Sequence, residues 1–209
     1  MRKGRTVPLR VKPTFGVVVD GECETWYLQM LKRNERELTV NIEPKIPQKK
    51  NITEQYETVV NLSRDYNKVF WIVDLDAVLK ETRDARKGSK TPLQYFIEYQ
   101  KAIKDYENIV LIINNPCIEF WLLLHFEETS KYFDNCEGAE NQLKRYLKDY
   151  EKTKGYFTKQ DNDIYLKLKP HLSRAIENAK KLKKFNIDEP YSGMTEMQLF
   201  FNAVGFNQN

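Results

Sequence analysis

Short apolar runs alternate with helical spacings through the first 126 residues. Phe15 to Val19 (FGVVV), Val69 to Val73 (VFWIV) and Ile109 to Ile113 (IVLII) are almost unbroken apolar stretches, the pattern of strands buried on both faces. Between them, Glu24 to Asn34 sets Trp26, Tyr27, Met30 and Leu31 on one helical face. Thr53 to Tyr66 does the same with Tyr56, Val59, Val60 and Ser63, and Thr91 to Tyr106 opens with Pro92 in a first helical turn. Glu37 to Ile42 (ELTVNI) alternates apolar and polar residues, predicting a strand that Pro44 and Pro47 stop. Pro116 to Phe126 reads as an apolar helix, with Asn115 as its N-cap and Pro116 at its first position. Strands alternating with helices predict an α/β fold, a mainly parallel sheet flanked by helices, over residues 12–126. Beyond Glu128 helical spacing dominates: Ala139 to Lys152, Asp161 to Leu168, Pro170 to Lys184 and Thr195 to Val204. A helical C-terminal part, residues 127–209, is therefore expected to pack on the sheet.

In parallel sheets ligands bind outside the carboxyl ends of the strands, so the residues following each buried run matter most. They are Asp20-Gly21-Glu22-Cys23-Glu24, then Asp74-Leu75-Asp76, then Asn114-Asn115-Pro116 leading to Glu119. Every ending is acidic or amide-bearing. Asp74 and Asp76, two apart, project to one side if the extended backbone persists. Two close carboxylates repel, so one protonates or the pair recruits a cation. Mg²⁺ suits such hard oxygen ligands. An Asp at a strand end also commonly just caps the next turn.

Glu119 lies among apolar neighbours (IEFWLLL), where an ionised carboxylate is costly unless compensated. Its alternative is an exposed stripe on the helix. Glu24 opens a helix, where the dipole favours an acid in any case, and Glu22 fits a solvated turn. His125 reads as a core histidine and His171 as a surface residue. Residues 77–91 are charged and read as a loop or frayed helix near the site.

Composition narrows the classes. Hydrophobic residues at 41% and charged residues at 31% fit a folded globular chain. The net charge of +4 is too small to establish a nucleic-acid partner. Arg2, Lys3, Arg5, Arg10 and Lys12 nevertheless crowd the start, and Lys180, Lys181, Lys183 and Lys184 crowd a late helix. Such runs suit phosphate contacts or a merely solvated face. Cys23, Cys117 and Cys136 are too few and scattered for a metal motif or a disulfide framework. With no signal peptide and no apolar run long enough to span a bilayer, a soluble cytoplasmic protein is expected. The absence of GxxxxGK[ST] and GxSxG patterns argues against a P-loop ATPase and a serine hydrolase.

The segments DGECETWYL (20–28), VDLD (73–76) and NNPCIEFWLLLHF (114–126), with the tail YSGMTEMQLFF (191–201), resemble the RloB-like family. Members of that family carry a TOPRIM-like domain and occur in prokaryotic phage-defence loci. The resemblance implies a Mg²⁺ (or Mn²⁺) site: an acid after the first strand, Asp20 or Glu24, with the DxD acids Asp74 and Asp76 and a family-specific Glu119. Asp20 stands where the TOPRIM pattern usually has Glu, which leaves open whether Asp20, Glu22 or Glu24 reaches the metal. The implied activity is nuclease cleavage of RNA, including tRNA, or of DNA, helped by a cation such as Lys159, Lys80 or Arg83, and alongside an ATPase partner. The rival readings are a non-catalytic nucleic-acid-binding or regulatory subunit and a nucleotidyl-transfer enzyme.

Overall fold

Five strands form one sheet in the order β2-β1-β3-β4-β5: β1 (Thr14–Val18), β2 (Asn41–Lys45), β3 (Lys68–Asp74), β4 (Ile109–Asn115) and β5 (Met194–Thr195). The first four are parallel and β5 runs antiparallel to β4. This computed structural model describes residues 12–36, 38, 41–46, 51–186 and 191–206. Arg2, Lys3, Arg5 and Arg10, and Glu37, Thr39 and Val40 of the alternating run, lie outside the described residues.

Each buried run forms the expected strand, and its side chains alternate between two cores. Val17, Phe70, Ile72 and Ile112 face a cluster completed by α1 (Glu22–Asn34), α5 (Ile118–Leu123), α8 (Ile164–Leu168), α9 (Leu172–Lys180) and α10 (Met197–Val204). Two shorter helices, α6 (Cys136–Leu143) and α7 (Lys154–Phe157), join the same layer through Leu143 and Phe157. Val18, Val69, Trp71, Val73 and Ile113 face the opposite layer, α2 (Ile52–Leu62), α3 (Leu75–Arg83) and α4 (Pro92–Ala102). Period-two alternation on strands covered on both faces yields two cores from one apolar run. Pro92 stands in the first turn of α4, as the sequence predicts, and Thr91 caps the helix in a capping box with Gln94.

Several boundaries differ from the sequence reading; α6, for one, starts at Cys136 and ends at Leu143, so the expected helix does not run on to Lys152. β2 (Asn41–Lys45) contains Pro44, paired with Val17, and so runs past the residue expected to stop it. Pro44 is tolerated there because β2 is an edge strand, where a missing N–H costs no ladder bond on the solvent side. α5 begins at Ile118 with Cys117 as its N-cap, not at Pro116 with Asn115, and its helical run ends at Leu123. In the C-terminal part, Thr195 leaves the expected helix and joins Met194 in β5 beside β4, so α10 starts only at Met197. Residues beyond 126 thus supply a strand of the sheet as well as helices packed on it.

His125 is fully buried, its Nδ1 3.1 Å from the Trp121 carbonyl. Burial pushes it down to about 3, so it stays neutral. No helix among the described residues is long and apolar enough to cross a membrane.

Candidate functional site

The carboxyl ends of β1, β3 and β4 bring four acids together. β1 runs out at Val18, and the chain turns through Asp20 and Gly21 into α1, whose first turn carries Glu24 inward while Glu22 stays exposed. β3 ends on Asp74, which is also the N-cap position of α3. β4 delivers Asn114 beside Asp74 in register, and α5 presents Glu119 in its first turn. Glu24, Asp74 and Glu119 are buried.

The acids feel one another strongly. Burial pushes Glu24 up to about 7, and the charges of Glu119 and Asp20 add to the effect. Asp74 is also raised well above the ordinary carboxylate range, by burial first and then by Glu24, Asp20 and Glu119. The Glu24 Oε2 atom is buried with no hydrogen-bond partner among the described residues. It lies close against Gly21, where an added Cβ would stand only 2.9 Å from it. Gly21 has an ordinary extended backbone, so glycine is needed there for space rather than for conformation.

Neutral groups orient the cluster from behind. The buried Gln55 amide of α2 donates to Asp20 Oδ1 at 2.7 Å and accepts from the Trp71 indole at 2.9 Å. Thr195 of β5 donates to Asn114 Oδ1 at 2.7 Å, and Asn114 donates to Asp74 Oδ1 at 3.1 Å. The C-terminal tail therefore reaches the site through a two-bond relay. The short distances and burial fix these carboxylates in orientation before any ligand arrives.

Asp76 departs from the picture of two parallel carboxylates. The extended backbone ends at Asp74, so Asp76 falls in the first turn of α3. Its Oδ2 accepts from the backbone N–H of Cys136 at 3.2 Å, at the start of α6. Burial raises it, while that bond and the charges of Lys152 and Lys80 oppose the rise. Lys159 is exposed just beyond α7 and makes no ion pair with the acids among the described residues. A cation that does pair with an acid of the site is Lys152. Its Nζ lies 2.9 Å from Glu119 Oε1, which also accepts from Tyr150 Oη at 2.8 Å. Burial opposes the charge of Lys152, but Glu119 and then Glu140 outweigh it, and its pKa is raised.

All three cysteines converge here, which their spacing did not predict. Cys117 and Cys136 are joined as a disulfide, their Cα atoms 5.7 Å apart across 19 residues of sequence. The expectation of no disulfide fails for this pair because the loop after α5 folds back and docks α6 against it, with Phe133 against Phe120. Cys117 Sγ lies 2.9 Å from Glu119 Oε2. Cys23 is a free thiol pushed up to about 12 by burial and then by Glu24, Glu119 and Asp74, with Lys152 opposing.

The sequence reading missed Gln55, Tyr150, Lys152 and Thr195. Only Thr195 carried a signal, as part of the tail motif. Neither the curated proteins nor the solved structures yield a match to this chain. Residues 15–203 match the family described as RloB-like protein, which spans the three acidic strand ends and the tail strand alike, and the chain belongs to that family.

Proposed function

We propose that this chain is a divalent-cation-dependent nuclease, hydrolysing phosphodiester bonds of RNA, including tRNA, or of DNA. The observation that carries the proposal is the convergence of Asp20, Glu24, Asp74 and Glu119 at the strand ends, with one Glu24 oxygen buried and unpartnered among the described residues. Like charges packed this way call for a cation. The donors are all hard oxygens, the set that suits Mg²⁺ or Mn²⁺.

Asp20, Glu24 and Asp74 would hold the ion, with Glu119 and Asp76 as further acids. When bound, the ion supplies positive charge to polarise a phosphate and to acidify a water. The chain itself does the rest. Gln55 and Asn114 aim the carboxylates, and Gly21 leaves Glu24 room to move onto a ligand. Lys152 holds Glu119 and adds a positive charge that favours an approaching phosphate. Exposed Lys183 and Lys184, beyond α9, supply further charge for a nucleic-acid backbone. Family resemblance adds the setting: a cytoplasmic effector of phage defence, working beside an ATPase partner. The parallel sheet with acids at its carboxyl edge supports the TOPRIM-like reading.

The test incubates the chain with total RNA and with plasmid DNA in Mg²⁺ or Mn²⁺, beside Asp74→Asn. Metal-dependent cleavage that disappears in the variant is expected and identifies the nucleic acid. Nucleic-acid binding without cleavage, equal in both proteins, overturns the proposal in favour of a binding module.

A further inference from the structure

The disulfide lies directly against the acidic cluster. A carboxylate oxygen of Asp74 and the sulfurs of Cys117 and Cys136 all fall within 4.8 Å of one another. Cys117 is fully buried, and Cys136 is partly exposed. Both cysteines are also held in place through their backbones. Cys136 is anchored by its own N–H on Asp76 and by the start of α6, where Asn135 caps Gly138 at 3.0 Å. Cys117 is anchored as the N-cap of α5, where its carbonyl accepts from Phe120. Breaking the bond therefore leaves two thiols facing one carboxylate.

We propose that reduction turns Asp74, Cys117 and Cys136 into a mixed sulfur–oxygen site for a borderline cation such as Zn²⁺, so that the redox state of the cysteine pair selects which metal the cluster holds. The proposal rests on the reading of the acidic cluster as a cation site. Zn²⁺ takes thiolates and carboxylates in a four-coordinate shell, and Glu119, already beside Cys117 Sγ, or a water completes it. Mg²⁺ does not use sulfur ligands, so the oxidised pair leaves it the carboxylates alone. In a reducing compartment, two cysteines brought beside a carboxylate would fit metal binding better than a permanent cross-link.

The chemistry balances. Two equivalents of a thiol reductant supply two electrons and two protons, the Cys117–Cys136 bond breaks, and the reductant leaves as its own disulfide. Both thiol protons are released when the divalent cation binds.

The test uses the full chain, reduced with dithiothreitol, desalted under nitrogen and titrated with Co²⁺ as a spectroscopic stand-in for Zn²⁺. The reduced wild type is expected to develop a sulfur-to-cobalt charge-transfer absorption that saturates at one equivalent and is bleached by Zn²⁺. The oxidised protein shows none. Cys136→Ser, at the partly exposed position, keeps its circular-dichroism spectrum but loses at least about half of the band's intensity, because only the Cys117 thiolate remains, and Cys23→Ser retains the band in full. Asp74→Ala keeps the band but binds Co²⁺ at least about tenfold more weakly, as loss of one ligand predicts. No band in the reduced wild type, a band of undiminished intensity in Cys136→Ser, or one that vanishes in Cys23→Ser overturns the inference. The readout needs no cleavage. A band without nuclease activity sinks only the nuclease reading, and cleavage without a band sinks only this one.

Discussion

Lys152 Nζ and Tyr150 Oη both address a single oxygen of Glu119, at 2.9 and 2.8 Å, while Cys117 Sγ lies against the other oxygen. Glu119 is almost completely buried, at 1% exposure, whereas Lys152 remains about a third exposed. The pair is thus asymmetric. Removing the lysine strands a buried carboxylate, and removing the carboxylate's charge strands nothing.

Lys152→Met is accordingly expected to destabilise the fold by about 1–3 kcal/mol, the usual cost of an under-satisfied buried charge. Adding Glu119→Gln to that variant should recover most of the loss. Thermal unfolding of the wild type, the two single variants and the double variant checks this cycle. An additive double variant would mean that Lys152 stabilises the fold by other contacts.

How much of this site could be read from the chain follows from where each residue sits. Asp20, Asp74 and Glu119 were legible because each follows a β-branched run, and strand ends in parallel sheets converge. The direction of Asp76 was not, since the choice between extended and helical backbone after Asp74 is made by the packing of Leu75 and Val78 into the second core. Tyr150 and Lys152 fall in the irregular chain after α6, where the helical spacing of Ala139 to Lys152 predicts a continuing helix that the chain leaves at Leu143. The Cys117–Cys136 contact is long-range, and residue spacing in sequence carries no distance information about it. The edge position of β2, which admits Pro44, likewise becomes visible only once the strand order is known.

Gly21→Ala is expected to act on metal binding more than on folding. Its Cβ would stand 2.9 Å from Glu24 Oε2, and the carboxylate must swing aside to accept it. Divalent-cation affinity should fall by about tenfold or more, as for other changes that misorient a ligand. Calorimetric titration with Mn²⁺ checks it, and unchanged affinity would remove Glu24 from the ligand set.

Gly193→Ala tests the tail that carries Thr195 to the site. A Cβ at Gly193 would run into the Lys131 carbonyl and the Phe120 ring, and the Gly193 N–H already bonds the Ser130 carbonyl at 3.1 Å. Backbone cannot yield as a side-chain tip can, so a loss of about 1–3 kcal/mol is expected from overpacking. Denaturant unfolding measures it. A wild-type midpoint would show that the tail rearranges freely, and the relay from Thr195 through Asn114 to Asp74 would lose its importance.

The last prediction links pH, stability and the cation. Glu24 titrates near 7 in the folded protein against an ordinary 4.5, with Asp74 raised in the same direction, both by burial first. The folded state therefore holds protons that the unfolded state has released, and stability must fall as pH rises through that window. The stability is fully present below the unfolded carboxylate range, declines from about pH 4.5 upward, and is lost once pH passes the folded value near 7. A divalent cation offsets this loss, because it neutralises the deprotonated acids and binds the folded state alone. Melting curves at about pH 5.5 and about pH 8, with and without Mg²⁺, give the check. Mg²⁺ should raise the melting temperature clearly at the higher pH and little at the lower one, and Asp74→Asn should flatten both the pH dependence and the Mg²⁺ effect. Equal Mg²⁺ stabilisation at the two pH values would mean that the ion binds away from Glu24 and Asp74, on surface carboxylates that are charged at both.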